Sequence, residues 1–490
     1  MFADSDGDLV GFESCWRKQR SVRDDSTQTS EILTYDKEIQ SVISTEIETQ
    51  TDPEEDKRPL ELVEDKSEKL LEFLRRVEVS VCTQLERNLQ SHAFDGYDVR
   101  WSDEFWSLSC LHTLNHAAVS SHLQCTDVSW NCTGSVLAVA YGRFDHEGSS
   151  SHQSFLCTWN IDRRVVNPNK ADVTIELSTS LMCVAFHPSL PSVIAGGTFS
   201  GEVMVWNTMQ EDEAAVATSG IGDNSHKDAV AKVLWIPDPH TLSSNKFVLL
   251  TAGNDGRILL WQFNPKSHQL KLIQRYVMLT DSVPRRMRIS KAPGNSPMGV
   301  TCLSFSHENK TQFIACTENG GVFKCILSDV HTGSDHEHCP ITFTYVAHHG
   351  PVYGVDCSPF HRNLFITSST DTTIRIYNML QSKPVMCIEP GAGYVFATGW
   401  SPIRPMVLAG ATSDKQLQFY DLRESHITPV TTVEHKKGLY TLQFNTKRHR
   451  LIASGDAGGT VKVWQLNDEL VTQGLHEIQE LDQLAEFGLD

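Results

Sequence analysis

His336, His338 and Cys339 offer two imidazoles and a thiol, donors that can hold zinc. No second ligand pair follows at a structural-zinc interval, so they read as a polar loop, and no metal or cofactor is expected. No phosphate-cradling loop or nucleophile elbow appears, which leaves no candidate catalytic residue and points away from an enzyme. The chemistry the chain does offer is that of recognition. Thr27-Gln28-Thr29 and Thr49-Gln50-Thr51 are two copies of one tripeptide, flanked by the β-prone residues Ile32, Leu33, Val42, Ile43 and Ile47, with Asp52 after the second. An extended segment of this kind can add a strand to an exposed sheet edge, its backbone supplying affinity and alternate side chains filling pockets. The plain alternative is a chance tripeptide in a polar tail, which duplication makes harder to hold.

Both copies lie in residues 1–66, where 18 Asp or Glu stand against 8 Lys or Arg, a net of −10 within a chain total of −19. So polar a segment buries too little apolar surface to offset its ordering entropy and is expected to be disordered when free. In residues 67–90, Leu70, Leu74, Val77, Val81 and Leu85 recur at steps of four and three, one apolar stripe on an amphipathic helix. Such a helix either braces the folded domain or lies in the groove of a partner subunit. Residues 91–122, with Phe94, Trp101, Phe105 and Trp106, form a linker expected to dock on the following domain and help close it.

That domain spans 123–467 and is repetitive. A strand of small apolar residues, a polar turn and a strand ending on an aromatic recur at 246–262 (KFVLLTAGNDGRILLWQ), 363–378 (NLFITSSTDTTIRIYN), 405–421 (PMVLAGATSDKQLQFYD) and 450–465 (RLIASGDAGGTVKVWQ). Weaker copies close on Trp159, Trp206 and Cys325, which makes seven units with closing positions 43 to 64 residues apart. Four-stranded units of ~40–45 residues are the signature of a propeller. The fold class is therefore all-β, a seven-bladed β-propeller whose blades stack radially because none can bury both faces alone. Residues 468–490 are acidic, and Leu475, Ile478, Leu481, Leu484 and Phe487 outline a short helix that either docks or frays.

The units resemble WD repeats, in which a turn Asp, a strand Ser or Thr, an upstream His and the closing Trp form a hydrogen-bonded set that locks the blade. The resemblance implies such a set at His226, Thr251, Asp255 and Trp261. It implies a second at His348 or His349, Thr367, Asp371 and Tyr377, and a partial one at Asp414 and Tyr420. The chain departs from the pattern where Ser200 and Gly458 hold the turn-Asp place, and no closing Trp is followed by Asp.

Composition narrows the class further. A net charge of −19 disfavours nucleic-acid binding, which needs a basic surface. No apolar run approaches the ~18–20 residues of a membrane span. Thirteen Cys, an odd number and mostly in predicted strands, read as small buried hydrophobes in a reducing compartment, so the sequons at Asn131 and Asn309 are expected to be chance matches. The basic run Arg285, Arg286, Arg288 and Lys291 is read as a solvated loop, with contact to an acidic partner as the alternative.

An acidic tail with duplicated triplets, an amphipathic helix and a WD-repeat propeller, in that order, resemble the dynein intermediate chains. FLRRVE (73–78), QSHAFDGY (90–97), NCTGSVLAVAYGRFDH (131–146), NIDRR (160–164), SGEVMVW (200–206), CSPFHRNLF (357–365) and GTVKVWQL (459–466) carry the likeness toward the cytoplasmic dynein 2 branch. The resemblance implies a non-catalytic subunit of the motor of retrograde intraflagellar transport, at the ciliary base and axoneme and in the cytoplasm. Its propeller would bind the dynein 2 heavy chain, its helix a roadblock-type light chain and its triplets an eight-kilodalton light chain dimer, with a second WD-repeat intermediate chain in the other groove. The competing class is a recognition propeller such as a ubiquitin-ligase substrate receptor, since fold alone does not fix function.

Overall fold

The computed structural model describes residues 67–90, 108–144 (118, 120 and 121 apart), 153–210, 215–239, 246–284 (266 and 268 apart), 295–327, 338–425 and 427–486. Both tail triplets, the aromatic residues of 91–107, the basic run at 285–291, His336 and Phe487 lie outside the described residues. No described helix is long and apolar enough to cross a membrane.

Helix α1, Ser67–Gln90, is continuous over its 24 residues. Its apolar side chains are solvent-facing, Leu70, Leu74, Val81 and Leu85 being 48–56% exposed and Val77 less so. The Arg76 guanidinium lies over the Phe73 ring.

The remaining described residues include 28 strands in seven four-stranded antiparallel sheets. Blades 1 to 6 each take four consecutive strands, spanning 124–177, 181–218, 230–277, 300–344, 352–388 and 395–434. Blade 7 takes three strands from 439–465, and its fourth, outermost strand is Ser109–Leu114. The propeller therefore begins at Ser109 and not at Leu123. Three C-terminal strands leave Val461–Gln465 with an open edge, and the earlier segment fills it, pairing Cys110 with Trp464 and Leu114 with Val461.

The second strands show why the repeat is written in small apolar residues. Val136–Gly142, Val193–Thr198, Phe247–Gly253, Val407–Thr412 and Leu451–Asp456 lie between neighbouring blades and are buried almost end to end. A Cβ added at Gly197 would stand 2.4 Å from Val230 Cγ1 of the next blade, so the packing admits nothing larger there.

Each innermost strand carries a bulge at the equivalent place: between Cys125 and Asp127, Leu181 and Cys183, Val230 and Lys232, Val300 and Cys302, Val352 and Gly354, Val395 and Ala397, and Leu439 and Thr441. Bulges steepen the twist and re-aim side chains toward the adjoining blade. Five positions beyond each bulge start, the backbone N–H of the last inner-strand residue meets a side chain of the preceding blade in four seams. Phe186 N donates to Ser129 Oγ (3.0 Å), Cys357 N to Ser304 Oγ (3.1 Å), Trp400 N to Asp356 Oδ2 (2.8 Å) and Trp130 N to Gln443 Oε1 (2.9 Å). Backbone donors with no strand on their far side are thereby satisfied by the neighbour, which ties the ring together. Burial pushes the Asp356 carboxyl up to about 7, against the two backbone N–H groups that favour its anion. Asp127 spans the ring further, accepting from Lys232 Nζ (3.0 Å) on blade 3, Val184 N (3.2 Å) on blade 2 and Thr441 Oγ1 (3.4 Å) on blade 7.

Candidate functional site

No described group of three or more His, Cys, Asp or Glu could hold a metal ion. His338 sits beside Tyr276 in an isolated bridge, its carbonyl accepting from Val277 N (2.9 Å). Seven cysteines, including Cys157, Cys183, Cys302, Cys316 and Cys357, are buried free thiols. Burial pushes Cys157 and Cys357 up to about 12, which removes the thiolate and its reactivity.

The first predicted lock is assembled in blade 3. The Trp261 indole N–H donates to Thr251 Oγ1 (3.0 Å), Thr251 meets His226 Nε2 (2.8 Å), and His226 Nδ1 meets Asp255 Oδ1 (3.1 Å). A neutral imidazole carrying its proton on Nδ1 satisfies every partner: Thr251 donates to Nε2 and Nδ1–H donates to Asp255. Asp255 also accepts from the backbone N–H of Lys227 and Arg257, fixing the turn between the second and third strands. Burial acts to raise the Asp255 pKa, but the His226 bond and the two backbone donors outweigh it and hold the carboxyl below its usual range.

Blade 5 builds its version on His348 rather than His349. His348 Nε2 meets Thr367 Oγ1 (2.8 Å) and Nδ1 meets Asp371 Oδ2 (2.9 Å), while His349 contributes its backbone N–H to the same carboxylate (3.1 Å). Tyr377 does not reach Thr367; its hydroxyl donates to Val346 O (2.8 Å), and its ring stacks on Phe365. Arg375 fills the gap in the charge pattern, bonding Asp371 Oδ2 (3.0 Å) and Ala347 O (3.0 Å). Burial lowers the His348 pKa, while Asp371 is held far below the usual carboxylate range: burial opposes this, and the His348 bond leads the interactions that prevail.

Blade 6 does not form the expected lock. Gly410 stands ten residues before Tyr420, where Thr251 precedes Trp261, so there is no hydroxyl to bridge. Tyr420 donates to Gln418 Oε1 (2.7 Å), and the exposed Asp414 takes its bond from adjacent Ser413 (3.3 Å). Blade 7 holds a set that went unrecognised in the sequence: Trp464 Nε1 donates to Ser454 Oγ (2.9 Å), which meets His435 Nε2 (3.0 Å). With Gly458 in the turn-Asp place, Asp456 approaches His435 Nδ1 only to 4.0 Å. The legible signal was a hydroxyl ten residues before the closing aromatic. In blade 2 that place is Gly196, and in blade 1, where a longer loop separates the second and third strands, the register position of Thr251 is held by Val139, so among the described residues the buried indole N–H groups of Trp159 and Trp206 have no partner.

Replacing Thr251 with Val preserves shape but strands the Trp261 N–H and the His226 ring nitrogen in a buried site. The expected loss is about 2–4 kcal/mol, two unsatisfied groups at about 1–3 kcal/mol each with partial relaxation. It is read as a lower urea midpoint at unchanged slope; an unmoved midpoint would show that the lock carries no stability.

The C-terminal segment is docked. Helices α2 (Asp468–Val471) and α3 (Glu477–Glu486) follow blade 7, and α3 buries Leu481 and Ala485 among Leu364, Ile376, Met406 and Leu422 of blades 5 and 6. Leu475 and Ile478 of the expected stripe face solvent instead. Arg404, 2% exposed, bonds Asp421 Oδ2 (2.6 Å), Glu477 Oε1 (2.9 Å) and the Glu469 carbonyl (2.6 Å), and Arg423 reaches both carboxylates at 3.2 Å. Burial works to raise the Asp421 pKa, but the Arg423 bond and the Arg404 charge hold it low.

Comparison with known proteins accounts for this architecture. The WD domain, G-beta repeat family matches residues 339–378 and 427–465. Cytoplasmic dynein 2 intermediate chain 2 of Mus musculus is 40% identical over 97% of this chain and 91% of its own length. The Homo sapiens protein of that name is 40% identical over 85% of this chain and 79% of its own. Dynein intermediate chain 3, ciliary, of Heliocidaris crassispina is 26% identical over 84% and 67%. With that identity sustained across the propeller and the segment before it, the chain belongs to the WD-repeat dynein intermediate chain family.

Proposed function

We propose that this chain is a non-catalytic intermediate chain of cytoplasmic dynein 2, joining the heavy chain to light chains for retrograde intraflagellar transport and cilium assembly. The observation that carries this reading is the 40% identity to a dynein 2 intermediate chain over 97% of the chain. In it, the propeller binds the dynein 2 heavy chain. Helix α1 gives its exposed Leu70, Leu74, Val77, Val81 and Leu85 stripe to a roadblock-type light chain, which accounts for apolar side chains left in solvent. Thr27-Gln28-Thr29 and Thr49-Gln50-Thr51-Asp52 add strands to an eight-kilodalton light chain dimer, and a second WD-repeat intermediate chain occupies the other groove. Two weak sites on one tether gain through effective concentration. The chain acts in the cytoplasm and at the cilium, and hydrolyses no nucleotide itself.

The test is capture from ciliated-cell extract with the intact chain and with a Gln28→Ala, Gln50→Ala variant, read by mass spectrometry. The intact chain is expected to recover dynein 2 heavy chain and both kinds of light chain, and the variant to lose the eight-kilodalton light chain alone. Recovery of ubiquitin-ligase components in place of dynein subunits would assign the propeller to a recognition module instead.

A further inference from the structure

On the face where loops lead into the innermost strands, four aromatic rings from four blades form a continuous arc. Tyr353 of blade 5 meets Phe396 of blade 6 at 5.8 Å between centroids, Phe396 meets Tyr440 of blade 7 at 5.1 Å, and Tyr440 meets Phe144 of blade 1 at 5.2 Å. Tyr394 joins from the side, 6.2 Å from Phe396. Tyr353, Phe396 and Tyr440 occupy the same register position, one residue into the bulge of their inner strands, where side chains turn away from the sheet. Tyr353, Tyr394 and Phe144 are 45%, 53% and 47% exposed. A contiguous aromatic row held open to water is what a protein-binding hot spot presents.

Three lysines stand with one aspartate, Asp414, at one end of the arc. Lys436 and Lys437 precede Tyr440 in the loop entering its strand, and Lys415 lies in the turn joined to Tyr394 through Ser413; all three are exposed. Lys415 stands at φ 69°, the left-handed turn position that Gly201, Gly256, Gly320 and Gly459 hold in blades 2, 3, 4 and 7. Blade 6 thus places a lysine where the backbone favours glycine.

We propose that this face is the seat of an amphipathic partner helix whose apolar stripe lies along Tyr353, Phe396, Tyr440 and Phe144 and whose acidic flank meets Lys415, Lys436 and Lys437. Ring spacings of 5.1–5.8 Å match the ~5.4 Å pitch of an α-helix, so one anchor per turn can rest between successive rings over about three turns. Naming the dynein 2 heavy chain as the source of that helix rests on the function proposed above; the acidic amphipathic chemistry rests on the surface itself.

Two measurements separate the claims. The full chain carrying a photo-crosslinking phenylalanine at Tyr394, with Ile221 as an exposed control position, is irradiated in ciliated-cell extract and the adducts are sequenced. Alongside, a Lys415→Glu, Lys436→Glu, Lys437→Glu variant and a Phe396→Ser, Tyr440→Ser variant are compared with the intact chain for heavy-chain and light-chain recovery. The expected result is an adduct at 394, absent at 221, within an acidic amphipathic helix of the heavy chain, and at least a tenfold loss of heavy chain in both variants with light chains retained. The lysine changes are wholly on the surface, so they keep the test decisive if the ring variant melts early. Heavy chain recovered undiminished by a lysine variant of native melting temperature overturns the docking face and leaves the motor reading intact. Adducts within residues 1–66 of this chain or in a second copy overturn it as well. If the intact chain recovers no heavy chain, the motor reading falls, and the adduct alone decides the face: an acidic amphipathic helix upholds it, any other sequence or none overturns it.

Discussion

A chain shortened to begin at Leu123 is expected to lose the folded propeller, whereas one beginning at residue 106 keeps it. The difference between them is the strand Ser109–Leu114, which supplies the outer quarter of blade 7. Without it, Val461–Gln465 becomes an open edge carrying Trp464, and the contacts of Leu108 with the Trp464 cluster and of Leu114 with Val461 and Val463 are lost. Two buried leucines contribute roughly 2–5 kcal/mol each by large-to-small substitution measurements, before the ladder bonds are counted. That is comparable to the ~5–15 kcal/mol by which whole domains are stable. An unpaired edge also recruits other chains, so the shorter protein is expected in aggregates. Size-exclusion chromatography and far-ultraviolet circular dichroism check this, with a peptide of residues 106–117 added in trans as a rescue. A monomeric Leu123-started chain with native melting would show that the fourth strand is dispensable.

The same strand illustrates what sequence can and cannot say about this molecule. Periodicity showed seven blades because each repeats a local pattern of buried, β-prone residues within one short stretch. Ser109–Leu114 reads SCLHTL, has no repeat around it, and pairs with residues more than three hundred positions away. Nothing local records such a pairing. The locks divide in the same way. A hydroxyl ten residues before the closing aromatic identifies Thr251, Thr367 and Ser454, and its replacement by Gly410 foretells the failure of Asp414 and Tyr420 to join. His348 could not be told from His349 by type, because the choice depends on which ring the turn into the blade aims inward. Arg404 gave no signal at all: SPIRP (401–405) reads as an exposed turn, and its burial follows only from where α3 brings Glu477.

Arg404→Ala is expected to destabilise the protein by about 3–5 kcal/mol, the usual cost of removing one member of a buried ion pair and leaving its partner charged. Asp421 and Glu477 are 1% and 0% exposed at the side chain and lie against the same guanidinium, so its removal leaves two carboxylates facing one partly exposed Arg423. Relief comes by releasing α3, because Glu477 begins that helix and can return to water by leaving blades 5 and 6. Leu481 and Ala485 must then leave their places among Leu364, Ile376 and Leu422, which opposes the release. Hydrogen exchange across 477–486 is therefore expected to quicken before the blades melt, with the global urea midpoint also lowered. The control is Arg404→Met combined with Asp421→Asn and Glu477→Gln, which removes the buried charges together and leaves only the partly exposed Arg423, which can turn to water. Its loss should be well under that of Arg404→Ala, because a buried ionic cluster replaced as a unit avoids the desolvation that a broken one leaves behind. Equal losses in the two proteins would mean that packing of the arginine stem, and not its charge, holds the C-terminal helix to the propeller.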